Sequence, residues 1–154
     1  MINRPIMAAL LALAAISPLT YSPTSLAQGL QLVTPDEAKL PNATGQITSR
    51  GVTRGPGIKV VSPDPSAKSV KGPFDLKISF EPRGGSKIDP TSVKLTYMKN
   101  PPVDLTDRVK AGIKAEGVEI DKASVPPGEH QIRVTVKDDE GRQTSSVVSV
   151  NVTN

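Results

Sequence analysis

The sequence predicts an all-β fold: an antiparallel sandwich of six or seven strands with one short helix inserted. Three observations carry this. Apolar residues alternate with polar ones at period two through most of the chain after residue 57. The chain has 15 Pro and 12 Gly, and turns built on these residues punctuate that pattern at intervals of about 10–15 residues. Only one stretch, 104–115, has a helical rhythm, and it is short.

The chain of 154 residues is long enough for one ordinary domain. Its hydrophobic share of 36% is below that of a typical globular domain, so part of the chain is expected to stay out of the core. Residues 1–27 read as a secretory signal peptide. Arg4 supplies the positive start, Ile6 to Ile16 the apolar run, and Ser25-Leu26-Ala27 the small residues a peptidase recognises. Cleavage is expected between Ala27 and Gln28. The apolar run is too short to span a bilayer, which needs about 20 residues, so no membrane insertion is expected after cleavage. The expected location is periplasmic or secreted.

Residues 28–57 form a lead segment, read as a flexible tether or as an arm lying along the domain. Within it Thr34-Pro35-Asp36-Glu37 has capping-box spacing, with Pro in the first helical turn. Pro41 then limits any helix to about one turn.

The domain proper is expected over 58–154. Ile58 and Val60 open it, and Ser62-Pro63-Asp64-Pro65 ends that strand. Phe74, Leu76, Ile78 and Phe80 alternate with Asp75, Lys77, Ser79 and Glu81, which makes the clearest strand in the chain. Burying its four apolar side chains contributes roughly 6–12 kcal/mol before entropy is subtracted. Pro82-Arg83-Gly84-Gly85 turns the chain. Val93, Leu95 and Tyr97 mark the next strand, closed by Asn100-Pro101-Pro102.

Leu105, Val109 and Ile113 then recur at four-residue spacing, predicting a helix over about 104–115 that starts at Asp104 or Thr106. Gly112 weakens it by about 1 kcal/mol relative to Ala. Val118 and Ile120 suggest a brief strand. Ile132, Val134 and Val136 form one long strand, and Val148, Val150 and Val152 another. Asp138-Asp139-Glu140-Gly141 between them reads as a hairpin, with Gly141 in the positive-φ position.

Pro126-Pro127-Gly128-Glu129-His130, the alternating strand after it, and Asp138-Asp139-Glu140-Gly141-Arg142 together resemble the penultimate strand and hairpin of bacterial immunoglobulin-like and fibronectin type III-like domains. The likeness covers 58–154 and implies an immunoglobulin-like sandwich. The Trp and paired Cys of antibody-type domains are missing, and the inserted helix departs from the simplest pattern. The mature chain is similar to small periplasmic proteins of Gram-negative bacteria. That resemblance implies a compartment rather than an activity.

Composition narrows the chemistry. Cysteine is absent, which removes disulfides, thiolate metal sites, thiol nucleophiles and a lipidated N-terminal cysteine. Past residue 27 the chain carries 18 basic and 15 acidic residues. That balance, and aromatics limited to Phe74, Phe80 and Tyr97, two of them read as core, argue against nucleic acid. His130 is the only histidine, and no second imidazole can orient it or complete a copper site with Met98. Its expected role is to fix the turn at the start of its strand. No nucleophile elbow or phosphate-binding Gly-Lys-Ser/Thr loop is present.

The expectation is therefore a non-catalytic module of the cell envelope, monomeric and without a cofactor, whose partner is another envelope protein. Arg50 and Arg54 are candidate contacts for that partner. The alternative is a carrier for a small ligand or calcium, for which Asp138, Asp139 and Glu140 are weak candidate metal ligands.

Overall fold

The computed structural model describes residues 29–44 and 54–154. The expected signal peptide, its cleavage point and Arg50 lie outside them. The described residues form a sandwich of two sheets. The first has the order β1-β3-β7-β6 and comprises Gly57–Ser62, Phe74–Glu81, Gly117–Ala123 and Ile113–Lys114 respectively. The second has the order β2-β9-β8-β4-β5 and comprises Val70–Lys71, Gln143–Thr153, Gly128–Asp138, Ile88–Tyr97 and Val103–Asp104.

Strand β3 is buried and exposed in strict alternation at its apolar and outermost polar positions, as its sequence predicts. Strands β4, β8 and β9 turn Val93, Leu95, Tyr97, Ile132, Val134, Val136, Val148, Val150 and Val152 inward to meet it. Phe74, Phe80 and Tyr97 are all three buried, where two were expected.

Six strands are long. The three additional pieces, β2, β5 and β6, have two residues each, too few to print a period on the sequence. One pairing departs from the expected antiparallel pattern: β2 runs parallel to β9. The extended run that begins as β1 breaks at Pro63–Pro65 and resumes beside the last strand of the other sheet. Strand β4 begins five residues before Val93, and its register against β8 shifts between Asp89 and Lys94. The polar residues and Pro90 in that irregular stretch hide the strand from a period-two reading.

The helix expected over 104–115 is shorter than its spacing suggests. One α turn, α2 (Thr106–Val109), passes into a 3₁₀ turn at Lys110–Gly112, and the chain is already strand at Ile113. Leu105 and Val109 are buried, but Ile113 pairs with Val118 across β6 and β7. The backbone at Gly112 lies so close to β7 that an added Cβ would fall 2.1 Å from the Glu119 carbonyl oxygen. The hairpin between β8 and β9 closes as expected, with Gly141 at φ +79° and its N–H donating to Asp138 O at 2.9 Å.

Residues 29–44 lie against the sandwich as a strap. Leu32 and Val33 are 0% exposed and belong to the hydrophobic core, so the core begins well before Ile58. The strap enters beside residue 124: Leu32 N–H donates to Ser124 O at 2.9 Å, and Ser124 N–H to Leu30 O at 2.8 Å. It then forms α1 (Pro35–Lys39), whose capping box joins Thr34 and Glu37 in both directions. It leaves along the end of β4, where Asn42 bridges Lys99 antiparallel.

Candidate functional site

The acidic hairpin tip is organised by its own protein donors. The Asp138 side chain is 0% exposed. Its carboxylate accepts from Arg142 Nε and the Arg142 N–H at 2.8 Å each, from Glu140 N–H at 3.1 Å, and from Ser86 Oγ at 3.3 Å. Burial pushes the carboxyl pKa upward, but the Arg142 hydrogen bonds and charge, with Ser86, outweigh this and hold it below the usual range. Asp139 accepts instead from the Lys87 N–H at 3.0 Å, and Glu140 pairs with Arg142 at 3.0 Å. Arg142 thus serves two of the three carboxylates, Asp138 and Glu140, while Asp139 turns to the Lys87 backbone. Among the described residues no group of three or more His, Asp or Glu side chains converges to hold a metal ion.

His130 is buried, and its two ring nitrogens are both used. Pro126 O, a carbonyl, can only accept, so Nε2 carries the proton and donates to it across 2.8 Å. Nδ1 is then the acceptor for the Tyr97 hydroxyl at 2.7 Å. Burial lowers the imidazole pKa, the Pro126 bond opposes this, and the nearby Lys99 charge lowers it further. The Tyr97 hydroxyl is pushed up to about 12, first by burial and then by the charge of Glu37. Turn fixing is the role its sequence position suggests, and the Pro126 bond performs it. What the sequence did not disclose is Tyr97, 33 residues upstream, as the second partner.

Two cations near this cluster are also spoken for, both by the strap. Lys99 is 6% exposed, lies 5.4 Å from the centre of the Tyr97 ring, and donates to Asn42 Oδ1 at 2.7 Å. Arg108 on α2 grips the Glu37 carboxylate with two bonds of 2.6 and 2.8 Å and also donates to Leu32 O at 2.9 Å. The hydrogen bond from Arg108 is the main cause that lowers the Glu37 pKa to about 2, against the opposing effect of burial. The capping-box motif marked Glu37 as structured, but nothing local marked Arg108 as its partner.

The outward face of the first sheet offers an open surface. A shallow groove of about 180 Å³ runs over the small residues Ser79 and Gly117, with Val61 at one end. Lys77 and Glu119 form one rail, paired at 2.6 Å, and Lys114 reaches the same carboxylate at 3.5 Å. These lysines hold Glu119 below its usual range, Lys77 most strongly. Val61 is 54% exposed on β1, one of the two edge strands of this sheet among the described residues. Arg54 is exposed just ahead of β1 and is not drawn into any of these clusters.

No protein-family model, no curated protein and no solved structure matches this chain.

Proposed function

We propose that this chain is a non-catalytic, immunoglobulin-like module of the bacterial cell envelope, exported through its N-terminal signal and acting by contact with another envelope protein. The observation that carries this reading is the β1 edge. Among the described residues no strand pairs with its outer side, and it carries the exposed Val61 beside an open groove, which is the surface that strand addition uses. The strand order supports the immunoglobulin-like reading. With β2 and β5 set aside, the first, second, fifth and fourth strands share one sheet and the seventh, sixth and third share the other. The buried polar groups support the non-catalytic reading, because each is engaged in holding a turn or the strap.

The test is a crosslinked pull-down from intact envelopes with mass spectrometry, comparing the wild type with Val61→Lys. The substitution adds a charge at an exposed position, so the fold should persist. Recovery of the same envelope proteins by the wild type, and their loss with the variant, is the expected result. Equal recovery by both would remove β1 as the contact, and no envelope protein with the wild type would end the reading.

A further inference from the structure

The strap meets the sandwich with the contacts of a bound peptide. Its main chain pairs at two places, at Gln31 with Ser124 and at Asn42 with Lys99. Two adjacent apolar side chains, Leu32 and Val33, are wholly buried. One carboxylate, Glu37, is held bidentately by Arg108, and one amide oxygen, of Asn42, receives the Lys99 ammonium. The surface beneath is therefore an apolar groove flanked by two cations, each of which holds a side chain of the strap: Lys99 that of Asn42, and Arg108 that of Glu37. An extended segment carrying an acid fits it, and the segment known to fit is residues 30–43.

We propose that residues 30–43 of one copy of this chain dock in the same groove of a second copy, so that two molecules exchange straps reciprocally. Exchange re-forms every strap contact with identical partners, which makes the new interface complementary without any additional design. The connection permits it: from Thr44 to Arg54 is ten residue steps, a reach of at most about 35 Å. With the strap closed on its own sandwich the chain is a monomer, and the short covalent link favours that form at low concentration. Raising the concentration, or weakening the closed form, shifts the chain to the dimer. This inference rests on the strap and its groove and is independent of the envelope reading.

Charge reversal tests it in the purified chain. In Glu37→Arg alone and in Arg108→Glu alone, strap and groove carry like charges. In a mixed pair, the E37R strap faces the R108E groove, while the unaltered Glu37 of the second variant faces the unaltered Arg108 of the first. Both exchanged sites are then complementary, which no other pairing achieves. The expected result is a one-to-one heterodimer on mixing, seen by light scattering and native mass spectrometry, with a melting temperature above that of either variant. The double variant E37R/R108E should return to a monomer. Two folded variants that remain separate monomers when mixed would overturn the proposal.

If a reversal prevents folding, cysteines decide the matter, since the chain has none of its own. Gln31→Cys in one copy and Ser124→Cys in another place thiols at exposed positions that are bridged in the structure. Oxidation of the mixture should yield a disulfide dimer containing one chain of each kind, more strongly as concentration rises. Absence of that mixed dimer would equally overturn the proposal.

Discussion

The Pro126 carbonyl accepts the Nε2–H hydrogen bond of His130, and that choice makes Nδ1 the acceptor for the buried Tyr97 hydroxyl. Tyr97→Phe keeps the ring in the core but leaves His130 Nδ1 without its donor. An unsatisfied buried acceptor costs about 1–3 kcal/mol, and urea unfolding at neutral pH should show a loss of that size. The same pair makes stability depend on pH. The folded imidazole has a pKa below its ordinary 6.5, because burial disfavours the charged form. Its contribution is complete above 6.5 and is lost as pH falls through the lower, folded value. Glu37 acts in a second window. Its contribution is complete above the ordinary 4.5 and is lost as pH falls toward about 2. The Arg108 bonds first, with the Thr34 bonds after them, accordingly contribute on the order of 3 kcal/mol near neutrality. Unfolding free energies measured across pH for wild type and Glu37→Gln should differ by a constant amount above pH 4.5, and the two curves should converge toward pH 2. In His130→Phe the decline that begins at 6.5 should flatten.

At the scale of elements, residues 29–44 lie along the domain as an arm, the second of the two readings of the lead segment, and Leu32 and Val33 join the core. Leu32→Ala should cost about 2–5 kcal/mol, as for a core leucine. A tether residue would cost nothing measurable, so thermal or urea melts separate the two cases. Gly112→Ala should also lower the melting temperature, because its methyl would meet the Glu119 carbonyl. The element pattern was legible where the signal is local and repeated. Phe74–Phe80 prints one apolar face on the sequence, Gly141 marks its hairpin, and Thr34 with Glu37 three residues on announces a helix start. Leu32-Val33 was illegible, because two neighbouring apolar residues have no period. Half of β4 was illegible because Pro90 and its polar neighbours occupy a register shift. The contact between Glu37 and Arg108 spans 71 residues, and the one between Asn42 and Lys99 spans 57. Each side chain is ordinary by itself, and only the tertiary fold brings the pair together. The groove beside Val61 was hidden for the same reason, since its walls come from β1, β3, β6 and β7.

At the scale of the whole molecule, the question is whether strap and sandwich unfold as one unit or as two. The sandwich is bound together by two long central ladders: β8 with β9 in continuous register, and β4 with β8 in a register that shifts once, between Asp89 and Lys94. The strap has no such ladder. It is tied by two isolated bridges, one bidentate ion pair and two buried side chains. Elements joined this way open by sub-global steps at lower free energy than the ladders around them. Native-state hydrogen exchange in mild urea therefore has a particular expected pattern. The Leu32 and Ala43 amides, which donate to Ser124 O and Met98 O, should exchange through one shared opening. The Ser124 and Asn100 amides follow β7 and β4 but donate to Leu30 O and Pro41 O, so they should exchange with the strap rather than with those strands. The Val134 and Val136 amides in β8 should need a larger opening, close to the global unfolding free energy. Should Ser124 and Asn100 instead follow β8, the strap would be an inseparable part of the sandwich, and exchange of straps between copies would require unfolding the whole domain.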